Sequence, residues 1–156
     1  METTVSTYQM QQVKTLSFDL KRFADPELGE DINILSSLRH AFSESTDDDS
    51  FWYADINLQV KFEGKSKVKS VVYEQCNAEF SLSIRVSKNS CKKEEFLDQA
   101  ERIGLQTLIP EARAAINSGC AALQAMLPYH IPLMSPQALI DERKKRETAE
   151  PAQQPS

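Results

Sequence analysis

Glycine is scarce in this chain of 156 residues: there are four, and none cluster. That excludes a glycine-rich phosphate loop and the nucleotide chemistry that goes with it. Cysteine is scarce too. Cys76, Cys91 and Cys120 are odd in number and at least 15 positions apart, so neither a disulfide framework nor a zinc site is suggested. The two histidines, His40 and His130, stand alone and read as surface or loop residues rather than catalytic groups or ligands. No G-x-S-x-G elbow and no H-E-x-x-H pair occurs. An enzyme is therefore not expected, and neither is a metal or cofactor. Long apolar runs are missing as well: nothing approaches the roughly 18 residues of a membrane span. The opening METTVSTYQMQQ lacks a basic n-region and an apolar h-region, so a cytoplasmic protein without membrane insertion is expected. Positive charge is not in excess. With 18 Lys and Arg against 23 Asp and Glu, and a net charge of −5, nucleic acid is an unpromising partner.

What is present is ordinary globular material, 40% hydrophobic and 26% charged, enough for one domain with tails. Strand character fills the first half. YQMQQVKTLSFDLKRF (8–23) alternates roughly, with Leu16, Phe18 and Leu20 on one face. DINILSSLRHAF (31–42) suits a strand or a short helix, and STDDDS (45–50) is a loop. FWYADINLQVKF (51–62) alternates cleanly, with Trp52, Ala54, Ile56, Leu58, Val60 and Phe62 inward and Phe51, Tyr53 and Asp55 outward. EGKSK is a hairpin connection into 68–86, where Val68, Val72, Cys76, Ala78, Phe80, Leu82, Ile84 and Val86 share a parity. The weaker apolar signal from Glu74 to Ala78 suggests a bulge.

From Lys92 the period becomes helical. Pro110 implies either a kink or a new helix beginning there. Around and beyond it, Leu108, Ala112, Ile116, Cys120, Leu123 and Leu127 form a greasy stripe, while Ala112, Ala115, Gly119 and Ala122 form a stripe of small residues. The greasy stripe suits the chain's own sheet. The small one suits close approach by a second copy, so Ala112, Ala115, Gly119 and Ala122 are the expected oligomer interface. LPYHIPLMSP (127–136) is an extended connector, and Ser135-Pro136 reads as the cap and first position of a last helix. The expected fold is α+β: a four-stranded antiparallel sheet with a long kinked helix and a short C-terminal helix on one face. The expected division is a tail at 1–7, a domain at 8–141 and a mixed-charge tail at 142–156, ending in a disordered TAEPAQQPS.

Several strings in this order resemble the SecB family of bacterial preprotein-export chaperones. They are SFD at Ser17–Asp19, VVYEQCNAEFSL (71–82), LIPEARAAINSG (108–119) and IPLMSPQALI (131–140). The likeness spans roughly residues 8 to 141. It departs at Thr15, where the family is usually acidic, at Glu111, where an aromatic is usual, and in the mixed-charge tail. It implies a homotetrameric dimer of dimers acting as an ATP-independent holdase for unfolded preproteins, with delivery to the SecA motor, or as the chaperone of an antitoxin. It also implies that Asp19 and Glu74 present carboxylates to SecA. A non-chaperone oligomeric adaptor is the alternative. For the client groove, exposed or adaptable apolar side chains point to Ile32, Ile34, Phe51, Tyr53, Leu133, Met134 and Leu139.

Overall fold

The structure is a computed structural model that describes residues 8–45 and 49–149. The expected tail at 1–7, the tip of the 45–50 loop and the last seven residues lie outside the described residues. The strands are β1 (Gln9–Met10), β2 (Lys14–Arg22), β3 (Ile32–Glu44), β4 (Phe51–Ser66) and β5 (Val72–Ser87), followed by α1 (Lys93–Ala122) and α2 (Pro136–Ala149). All pairings are antiparallel, and β1 and β2 both lie along β5. The sheet is therefore four strands wide, in the order β1/β2, β5, β4, β3. This is the α+β arrangement that the patterning implies.

Alternation in β4 and β5 builds the core. Ile56, Leu58, Val60 and Phe62 of β4, with Cys76, Ala78, Phe80 and Leu82 of β5, bury one sheet face against Leu105, Leu108, Ala112 and Ile116 of α1. The ambiguous 31–42 segment is a strand, because its pairing with β4 runs without interruption. Two bulges change which residues turn inward. Leu16 falls in the register shift between Thr15 and Ser17 and is exposed, while Phe18 and Leu20 keep the inward face. Tyr73 falls in the shift opposite Gly64 and Lys65. Val68 lies outside the strand and is exposed.

One helix continues unbroken past Pro110 rather than restarting there. The ring lies on the exposed side and costs the helix the bond to the carbonyl of Gln106, which also faces solvent. Glycines bring α1 close to the sheet. A Cβ on Gly104 would stand 2.2 Å from Ile56 Cδ1. Gly104→Ala is expected to destabilise by about 1–2 kcal/mol, overpacking outweighing alanine's better helix propensity of ~1 kcal/mol. Ile56→Val removes the clashing methyl. Urea unfolding of the double variant should then show a smaller loss than the two single variants summed.

The small-residue stripe belongs mostly to this chain. Ala112 is fully buried against the sheet, and a Cβ on Gly119 would meet the Phe18 ring at 2.6–2.9 Å. Ala115 packs partly on the same core, and only Ala122 is exposed. The expected oligomer interface thus loses Ala112, and within the chain the close approach at Gly119 is made by β2, whose Phe18 wedges beneath the helix.

Candidate functional site

Three features surround the sheet's free edge and the connector between the helices. The first is a latch. Two residues past the end of α1, Gln124 takes a left-handed backbone (φ 55°) usually given to glycine. The chain then turns so that its amides face β5. Glu74 accepts hydrogen bonds from the Met126 and Leu127 amides, at 3.0 and 3.3 Å, and from the Tyr129 hydroxyl at 2.8 Å. Arg22 approaches Glu74 at 3.5 Å and donates to the Gln124 carbonyl. Burial, followed by the bond to Glu74, pushes the Tyr129 phenol well above its ordinary pKa. Glu74 is 0% exposed. Its expected role as a surface acid for SecA is therefore corrected: the bulge at Tyr73 lies before it, so it keeps the inward parity of Cys76 and Ala78.

The second is a buried ionic cluster beneath α2. Ser135 caps this helix through the Ala138 amide at 3.2 Å. Arg143 then grips Glu101 of α1 through two nitrogens, and Glu147 lies 2.8 Å from its other terminal nitrogen. His40 of β3 completes the cluster, with Nε2 2.7 Å from Glu101. Burial would raise the Glu101 pKa, but the bonds from His40 and Arg143 outweigh it and hold the carboxyl below its usual range. His40 is 3% exposed, not the surface histidine expected. The charged 142–149 run is a helix docked on β3, so the chain stays structured beyond residue 141.

The third is the edge itself. Asp31 and Ser45, flanking β3, bond to Lys67 and Tyr53 across the ladder. Because antiparallel pairing alternates, the odd residues of β3 face β4 and the even ones turn N–H and C=O outward. Ile32, Ile34, Ser36, Leu38, His40 and Phe42 thus line an edge that no strand among the described residues pairs. Only the His40 carbonyl has a partner there among the described bonds, Arg146 Nη2 at 3.0 Å. Ile34 is 38% and Leu35 50% exposed.

The expected groove residues are not one cluster. Ile32 and Ile34 sit on this edge, and Ile34 is in register with Gly64, over which Leu127 of the connector passes. Leu133 is almost fully exposed farther along, with Met134 half-buried against the core. Leu139 is 1% exposed and belongs to the core, which removes it from any groove. Phe51 and Tyr53 lie on the opposite sheet face, with the Arg85 guanidinium 4.3 Å over the Phe51 ring. That face also carries Asp19, exposed and 3.7 Å from Lys21. Sequence reasoning passed over Leu35, although the adjacent pair Ile34-Leu35 signals apolar groups on both faces of one strand.

No family model and no curated protein matches the sequence. Among solved structures, the SecB-like chaperone Rv1957 of Mycobacterium tuberculosis, in complex with a ChAD peptide from the HigA1 antitoxin, superposes with a TM-score of 0.58. It shares 16% identity over 82% of this chain and 91% of that one. The fold is SecB-like. A protein of unknown function from Streptococcus agalactiae superposes at 0.49, with 10% identity over 83% of this chain and 99% of that one. On the SecB-like fold of this chain, the free edge, the connector and α2 lie together, while Phe51, Tyr53 and Asp19 lie on the far sheet face. No helix among the described residues is long and apolar enough to cross a membrane. No group of three or more His, Cys, Asp or Glu among them is placed to hold a metal ion.

Proposed function

We propose that this protein is a SecB-like, ATP-independent chaperone of the cytoplasm that holds extended segments of non-native polypeptide along β3. The observation that carries this reading is the edge: thirteen residues without a bulge, bearing exposed Ile34 and Leu35. Outward backbone groups can pair with any extended segment, which gives affinity without sequence demands. Apolar client side chains add about 25 cal/mol for each Å² covered. Ile32 extends the apolar edge toward the end where Leu127 of the connector passes over Gly64.

An antitoxin segment is the client we favour over a preprotein handed to SecA. The structural relative holds an antitoxin peptide, and with Glu74 withdrawn from the surface only Asp19 of the two acids is presented, beside Lys21. Any homotetramer would have to use surfaces other than Ala112.

The test is suppression of aggregation of a chemically unfolded protein, without nucleotide, at equimolar chain. The parent should hold the client soluble. Ile34→Lys with Leu35→Lys should lose most of that activity at unchanged melting temperature, whereas Phe51→Asp should retain it. A parent that leaves aggregation unchanged excludes the chaperone reading, and loss in Phe51→Asp alone moves the surface to the far face.

A further inference from the structure

Two adjoining hollows, of about 370 and 300 Å³, run along the β3 edge and share Arg39 and Arg146. The larger wraps the edge from both sides. Asn57 and Gln59 line it from the open sheet face, and Arg143, Arg146 and Glu147 from α2. The smaller adds Lys145 and Glu142 beside Leu38. In a chain of net charge −5, this rim is locally rich in cations. Its charges are not equivalent. Arg143 is committed to Glu101 and Glu147. Arg146 instead donates to the neutral carbonyl of His40, one of the outward groups that an added strand would need.

We infer that Arg146 is a gate on the β3 edge, and that the segment admitted there is extended and acidic. The inference rests on the holdase reading above and names its client class. In the closed arrangement the guanidinium caps the His40 carbonyl, one of the outward edge groups beside the hollows, as charged side chains blunt sheet edges generally. An incoming strand releases that carbonyl by taking its place as donor, and a client Asp or Glu gives the freed guanidinium a carboxylate in exchange. Alternate side chains of an added strand point to opposite faces. One acid therefore reaches Arg146 and Lys145 on the α2 side, while its neighbour points to the open-face side, where Arg39 lines the hollow. A carboxylate is the partner that a guanidinium binds best, so acidity should decide which extended segments open the gate.

Fluorescence anisotropy with three labelled peptides tests this. They share an extended apolar frame and differ in a central pair: Asp-Asp, Ser-Ser or Lys-Lys. The parent should bind the acidic peptide roughly fivefold more tightly than the neutral one at low salt, and the basic one most weakly. About 0.5 M salt should erase the ranking. Arg146→Gln with Lys145→Gln should also erase it while keeping neutral binding at least at the parent level, because the edge is uncapped. Neutral and acidic peptides binding the parent equally would overturn the gate and leave the holdase reading standing. A neutral peptide that loses affinity in the double variant would overturn it too. If no peptide binds the parent while Ile34→Lys with Leu35→Lys still matches it in aggregation assays, both readings fall.

Discussion

Glu74→Ala is expected to lower the unfolding free energy by about 3–5 kcal/mol, the cost of opening a buried, charge-assisted network on one side. The carboxylate serves two amides and one phenol at once. All three donors lie between Met126 and Tyr129, where the chain leaves α1, and this stretch has no other described bond to β5. Removing it strands the Tyr129 hydroxyl, 2% exposed and stacked 5.3 Å from Phe62, and leaves Arg22 without its buried counter-charge. For a chain of this size the melting temperature should fall by on the order of 10 °C. Glu74→Gln keeps an acceptor and should lose less. Urea unfolding, with hydrogen exchange over residues 124–129, measures both effects. A loss below about 1 kcal/mol with exchange unchanged would show that the connector is held by packing alone.

Glu101→Ala should rival it, again at about 3–5 kcal/mol, because Arg143 and His40 would both be left buried without their shared acceptor. The damage should concentrate in α2, whose polar anchors are Arg143 on Glu101 of α1 and Arg146 on the His40 carbonyl. Exchange should rise there before the β4–β5 core responds. The same group sets an acid dependence. The folded pKa of Glu101 is depressed, so the unfolded chain takes up its proton first as pH falls. Its contribution is complete above the unfolded carboxylate value of about 4.3 and is lost as pH drops through the lower folded value. Acid titration of the parent should therefore show a loss of stability below about pH 4 that Glu101→Gln does not share.

Much of the sheet could be read before any coordinates. The run from Trp52 to Phe62 has one apolar parity, and that parity is the buried one from Ala54 onward. β3 was ambiguous for a physical reason. As an edge strand covered by α2 over only part of its length, it mixes buried His40 with exposed Ile34 and Leu35, so no single face shows in the pattern. Glu74 teaches the opposite lesson. Its parity with Cys76 placed it inward, and the family resemblance drew it out. The cluster at His40 was illegible, since Glu101 lies 61 positions away and Arg143 another 42. The expected mixed-charge tail from residue 142 concealed a docked helix because long cationic stems hide their burial: Arg143 and Arg146 reach inward while Lys144 and Lys145 stay in water. The small-residue spacing announced a close contact but could not say that Phe18 makes it.

The two borders of the sheet are unlike. One is assembled from β1 and β2, interrupted between them and broken again at Leu16; the other is β3, continuous for thirteen residues. A molecule with two good borders could pass strands from copy to copy without end, as fibrils do. Among the described residues, only β3 gives this molecule a long unbroken border. Two copies that met through β3 would each use up that border and be left with the interrupted one, a poorer template for a further strand.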